Sequence, residues 1–232
     1  MNIIQSVKSL TKFEKILWLS SVAVVLSTFF IFKSEDYLTL IASLIGVTAL
    51  IFLAKGHAIG QILIIVFALF YGYISYHFRY YGEMITYLGM TVPMAVVALV
   101  SWLRHPYKES SEVEISKLSK KQVVPMLIFT VLVTVAFYFI LKALGNASLL
   151  VSTVSVTTSF LAAYLTALRS PYFALGYAMN DLVLVCLWII AVKEDISSLS
   201  MVACFVTFFI NDMYGFVSWK RMEKRQKKSP SC

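Results

Sequence analysis

The chain has 232 residues, of which 59% are hydrophobic and only 14% charged, with a formal net charge of +8 and a mean hydropathy of +0.81. About a quarter of the residues in an ordinary soluble domain are charged, so this chain has too little polar surface to enclose a core in water and must take the bilayer as its solvent. That excludes a soluble globular enzyme, and the cysteines (Cys186 and Cys204 inside apolar runs, Cys232 at the end) set no disulfide framework.

A membrane-spanning helix needs about 20 mostly apolar residues. Eight runs meet that requirement, at 15–33, 37–54, 57–78, 82–103, 123–141, 148–167, 172–192 and 198–219. The residues before the first run carry no leader pattern, so that run is expected to remain as a helix. Lys55-Gly56 joins the second run to the third. The third carries Gln61 near its start and Tyr71 deeper in, with His57 and His77 flanking it as expected interfacial residues. The fourth opens on Glu83, also expected at the interface, carries Tyr87, and closes on Val100-Ser101-Trp102-Leu103-Arg104. The seventh holds Tyr177 and Asn180-Asp181, close to mid-membrane. The eighth holds Asn211-Asp212 and Tyr214 and closes on Val217-Ser218-Trp219-Lys220-Arg221.

Lys and Arg are spread unevenly over the segments between these runs. The N-terminal tail from Lys8, the second, fourth and sixth loops, and the C-terminal tail hold sixteen; the alternate loops hold only Lys33, Arg79, Lys142 and Lys193. By the positive-inside rule this bias places both termini in the cytoplasm and requires an even number of spans. It also accounts for the basic tail from Lys220 to Lys228 as a topogenic, lipid-facing cluster rather than a nucleic-acid patch.

The Val-Ser-Trp-x-Arg ending occurs twice, shifted by 117 residues, at the ends of the fourth and eighth runs. Lys55 and Arg169 mark matching loops. The expectation is an all-α integral membrane protein with two parallel triple-helix repeats, 37–103 and 148–219. Residues 1–36 form an N-terminus and extra helix, 104–147 a cytoplasmic loop and linker helix, and 220–232 the basic tail. Three spans is an odd number, so a linker helix is needed to make the units parallel. Parallel repeats surround an axis along the membrane normal, with a central path.

Carboxylates inside such runs are expensive, at about 2.5–3.5 kcal/mol for an Asp at the helix centre, and face the bundle interior or water. Asp181 and Asp212 therefore either bind a polar substrate or cross-link helices. Their neighbours Asn180 and Asn211 point elsewhere, since adjacent helix positions differ by about 100°. The deeper aromatics, among them Phe67, Phe70, Tyr71, Tyr87, Tyr177 and Trp188, suit either ring stacking or ordinary packing. No His-Glu-x-x-His, Gly-x-Ser-x-Gly or phosphate-cradling loop occurs, so no catalytic residue, metal ligand or cofactor is assigned.

Tyr81-Gly82-Glu83-Met84, Pro93-Met94 and Trp102 resemble the fourth span of the PnuC-type nicotinamide riboside transporters. The run Asn211 to Trp219, through its Gly-aromatic-x-x-Trp ending, resembles their last span, and Lys55-Gly56 with Gly60 resembles their second-to-third loop. The resemblance implies a 3+1+3 fold like that of the SWEET sugar transporters and uptake across the inner membrane by facilitated diffusion. It further implies alternating access and trapping of the cargo by a cytoplasmic kinase. The implied partners are a small-molecule, nucleoside-like vitamin and the lipid bilayer; a homo-oligomer stays open.

The expected substrate-binding residues are Asp181, Asn180 and Tyr177 on the seventh span, Asn211 and Tyr214 on the eighth, Gln61 and Tyr71 on the third, and Tyr87 on the fourth. One departure bears on the cargo. The family's Trp-x-x-Trp falls on Ala174-Leu175-Gly176-Tyr177, although the following acid is kept as Asp181. Nicotinamide riboside is the leading cargo, with deoxyribonucleosides, thiamine and riboflavin as alternatives. Proton coupling through Asp181, or a scaffold without transport, are the remaining readings.

Overall fold

The computed structural model describes residues 9–32, 37–77, 81–108, 110–146, 148–193 and 196–228. Lys8, Lys33, Arg79 and Cys232, used above, lie outside these residues, as does the side chain of His77. The helices are α1 (Lys12–Ile31), α2 (Tyr37–Ala54), α3 (Ile59–His77), α4 (Tyr81–Arg104), α5 (Lys120–Ala143), α6 (Leu149–Ala167), α7 (Phe173–Val192) and α8 (Leu199–Lys228). All eight are long and apolar enough to cross a membrane.

Local chemistry sets several of their ends. Thr11 and Glu14 form a reciprocal capping box at the start of α1, and at the start of α5 Gln122 Oε1 accepts from the Ser119 N–H. Within α4, Thr86–Thr91 is wound as a π-helix just before Pro93. Proline lacks an N–H and crowds the carbonyl one turn back, and a wider turn relieves that conflict. The end of α8 runs beyond the apolar segment that ends at Trp219. There Glu223 pairs with Lys220 at 3.0 Å and Lys227 at 2.6 Å, holding the basic residues on a helix that hydropathy alone does not reveal.

The packing places α8 against α7, α2 and α1, and α4 against α3 and α6. In each case the last helix of one triplet meets the first helix of the other. The turns after α2 and α6 are built alike. Gly56 (φ +68°) donates its N–H to Leu53 O and His57 to Phe52 O; Arg169 (φ +57°) donates to Thr166 O and Ser170 to Leu165 O. This is the left-handed helix stop that usually selects glycine, and Arg169 adopts it with a side chain.

Helix α5 packs chiefly on α6 and leaves Leu127, Phe129, Leu132 and Phe139 exposed, a surface suited to lipid. At Gly176 a Cβ would stand 3.0 Å from both Cα and Cβ of Ala162, so α6 and α7 touch backbone to backbone. Gly176→Val must push them apart, and overpacking of this kind typically costs about 1–3 kcal/mol. Thermal unfolding in detergent should show a clearly lowered Tm for this variant; an unchanged Tm would contradict the close approach.

Two expectations need correction. Glu83 is only 9% exposed rather than interfacial, because the start of α4 is tucked against α3 and α5. His57 is buried too. It stacks on Phe52 and lies under the segment following α4, with its backbone bridged to Glu112 and its Nε2 3.4 Å from Ser111 Oγ. Both burials come from chain segments distant in sequence, which local hydropathy does not register.

Candidate functional site

Tyr177 and Asp181 stand one turn apart on α7 and therefore share a face. Asp212 of α8 lies beside Asp181 there, and the two carboxyls are 4% and 5% exposed. Asp181 Oδ2 has no hydrogen-bond partner among the described residues. A buried acceptor left open is costly.

Rings from three helices pack in the same core. Tyr71 of α3 and Tyr87 of the π-wound stretch of α4 have centroids 4.4 Å apart. Phe67 stands 6.0 Å from Tyr87 and 5.8 Å from Phe208 of α8, and Phe205 lies 5.6 Å from Phe208. Phe205 and Phe208 lie on the same face of α8 as Asp212 and pack on Tyr71 and Phe67, which joins the rings to the acids. Glu83 is buried one turn before Tyr87 on α4. The chemistry available is stacking plus negative potential, which suits a flat ring carrying positive charge.

Of the residues picked from sequence, Asp181, Tyr177, Tyr71 and Tyr87 are thus brought together. The others point elsewhere. Asn180 Oδ1 accepts from Ser155 Oγ (3.2 Å) and Thr158 Oγ1 (2.8 Å), joining α7 to α6. Asn211 Nδ2 donates to Ser21 Oγ at 2.8 Å, and Tyr214 donates its hydroxyl to Glu14 Oε1 at 2.8 Å, so both hold α1 onto α8. Lys55 Nζ lies 3.6 Å from the same Glu14 oxygen. Gln61 is buried with Nε2 unpartnered, and no described contact brings it to the carboxyl pair. The expected site residues did not include Asp212 or Phe67, although both were singled out in the sequence, and Glu83, Phe205 and Phe208 were not considered for the site. The signal for Asp212 was present, since it is as deeply placed in an apolar run as Asp181. Nothing local marked Phe205 and Phe208.

The missing tryptophan has a structural counterpart. Ala174 is completely buried, and a Cβ on Gly215 would lie 3.5 Å from Ala174 Cβ and 3.8 Å from Ala54 Cβ. Small residues let α7, α8 and α2 close together where the family has an indole.

Below this core, at the Lys- and Arg-rich end, a cavity of about 200 Å³ is lined by His57, Trp102, Pro106, Ser110, Ser111 and Glu112, among others. Burial, aided by the nearby Lys55 charge, pushes the His57 imidazole down to about 4 from its usual 6.5, against the opposing pull of Glu14. Between those values the unfolded chain binds a proton at this residue that the folded chain does not. The neutral His57 therefore favours folding fully above pH 6.5, and that advantage is lost as pH falls toward about 4. Melting temperatures measured across this window should fall more steeply for the parent than for His57→Asn; parallel curves would remove the histidine's role. Burial likewise lowers Arg169, with Glu114 opposing, and its Nε and Nη1 have no partner among the described residues. Among those residues no group of three or more His, Cys, Asp or Glu is placed to hold a metal.

Eight membrane-length helices around a buried acid-and-aromatic core define a multi-span membrane protein of the transporter class. The sequence pattern of the nicotinamide mononucleotide transporter family matches residues 36–221, and the chain belongs to that family. It is 28% identical over 221 residues to the nicotinamide riboside transporter PnuC of Neisseria mucosa, covering 93% of this chain and 83% of that protein. It is 21% identical over 213 residues to the nicotinamide riboside transporter PnuC of Haemophilus influenzae, covering 91% of each. The fold is similar to a crystal structure of the vitamin B3 transporter PnuC, with a TM-score of 0.80, 26% identity and 94% of both chains covered. The chain is a transporter rather than an enzyme.

Proposed function

We propose that the protein carries nicotinamide riboside across the inner membrane by facilitated diffusion, with both termini cytoplasmic. The observation that carries this reading is the unpartnered Asp181 oxygen beside Asp212 and the Tyr71–Tyr87 rings. Nicotinamide riboside presents a positively charged pyridinium, which such a core would hold by charge and by its ring face. The relatives that carry the same name support the cargo. Residues 37–103 and 148–219 act as two units that rock about the site. A cytoplasmic kinase then traps the cargo, so no ion gradient is needed.

Protein in liposomes is expected to equilibrate labelled nicotinamide riboside without a proton or sodium gradient. Accumulation above the outside concentration, abolished when a gradient is collapsed, would replace uniport with coupled transport. Competition by thiamine, riboflavin and deoxyribonucleosides in the same assay ranks the alternative cargoes. The structural counterpart of the missing tryptophan keeps that ranking necessary: the stacking partners near Asp181 are tyrosines from the other triplet rather than an α7 indole pair.

A further inference from the structure

Trp102 and Trp219, the repeated tryptophans, meet at the Lys- and Arg-rich end with centroids 5.3 Å apart, and both are essentially fully buried. Each indole N–H crosses to the opposite triplet. Trp102 Nε1 donates to Thr166 O of α6 at 2.9 Å, and Trp219 Nε1 donates to Leu53 O of α2 at 2.7 Å. The acceptors lie in the last turns of their helices and also accept the N–H of Gly56 and of Arg169, so each carbonyl is shared by a turn bond and an indole bond. Ser101 Oγ adds a third crossing bond, to Ala167 O at 2.7 Å. Phe173 fills the remaining corner, 4.7 Å from the Trp219 ring and 6.2 Å from that of Trp102.

We propose that Trp102 and Trp219 form a latch that seals the path at the Lys- and Arg-rich end, through two reciprocal indole-to-carbonyl bonds between the triplets. The inference rests on the alternating-access reading above. Opening this end requires the triplets to part, which breaks both indole bonds and separates the two rings. Rocking that opens the opposite end can pivot about the same contacts and leave them intact. The segment Glu112–Ser116 reinforces the closure from outside. Val113 N–H donates to Gly56 O, Ser116 N–H to Arg169 O and Ile115 N–H to Gln226 Oε1, while Glu112 pairs with Arg225. That segment thus grips the turn after α2, the turn after α6 and the end of α8 together. The reciprocity also explains why the Val-Ser-Trp ending occurs in both halves: each copy supplies the donor to the other's helix end.

Cys204 provides a reporter, because it is buried on α8 beside Phe205, whose ring packs on Tyr71. In a Cys186→Ser, Cys232→Ser background in oriented vesicles, a membrane-impermeant maleimide is applied from either face. Trp102→Phe and Trp219→Phe keep one aromatic ring in place and remove the indole N–H of each. A single neutral hydrogen bond shifts an equilibrium by about two- to tenfold. Each variant should therefore label Cys204 about two- to tenfold faster from the Lys- and Arg-rich face only, and the double variant faster than either. Ser101→Ala, at a partly exposed position, carries the same one-sided expectation if the indole variants fold poorly. Unchanged rates, or rates raised equally from both faces, would overturn the latch. Uptake of nicotinamide riboside by the background protein is scored separately. Its failure removes the cargo reading, while one-sided labelling still reports on the latch.

Discussion

Asp181→Asn is expected to weaken nicotinamide riboside binding and uptake by about 10- to 100-fold while leaving the protein folded. The magnitude follows from the roughly 1.5–3 kcal/mol carried by a hydrogen bond to a charged group. Asparagine keeps the shape and can donate its amide to Asp212, so the helix contact survives. What it loses is the unpartnered acceptor Oδ2, in whose place an amide NH2 can only donate. Titration calorimetry on the purified variant, with a thermal melt beside it, separates the two effects. Affinity equal to the parent's would remove Asp181 from the site. Asp212→Asn should show a smaller loss, because Asp181 remains to face the ligand.

Ala174→Trp is expected to destabilise the protein and not to restore the family's paired indoles. The methyl of Ala174 already packs against the space beside Gly215 and Ala54, in a position with no solvent access. An indole there must separate α7 from α8 and α2. Inserting even single methylenes in a packed core costs about 1–3 kcal/mol, and an indole adds many more atoms than that. The variant should lose monodispersity on size exclusion and show a lowered Tm. A stable Ala174→Trp protein with improved nicotinamide riboside affinity would show that the junction opens readily. Tyr177→Trp, by contrast, changes a ring for a ring at the site's edge and should fold normally.

The difference between these two positions shows how much of the site was legible beforehand. Asp181 announced itself, because a carboxylate in a long apolar run is too costly to leave facing lipid. Tyr71 and Tyr87 were visible as deep aromatics, but only the π-wound turn before Pro93 and the approach of α3 to α4 bring them within 4.4 Å. Asn211 and Tyr214 looked equivalent to the site residues on the eighth span, yet they hold α1, whose Ser21 and Glu14 accept their hydrogen bonds. Intramembrane polarity says that a side chain must find a partner. It does not say whether that partner is a ligand or another helix.

Composition and periodic apolar runs determined by themselves that this chain lives in a bilayer, that it spans it with eight helices, and that it ends two of them alike. Those properties follow from the transfer free energy of each segment taken alone, so they need no knowledge of neighbours. Which acids meet, which rings stack, where an indole has no room, and that each repeated tryptophan bonds the opposite triplet were decided only by tertiary structure. In lipid an apolar face is equally soluble against lipid and against another helix. Close packing and directed hydrogen bonds then choose the partners, and both depend on residues far apart in the chain.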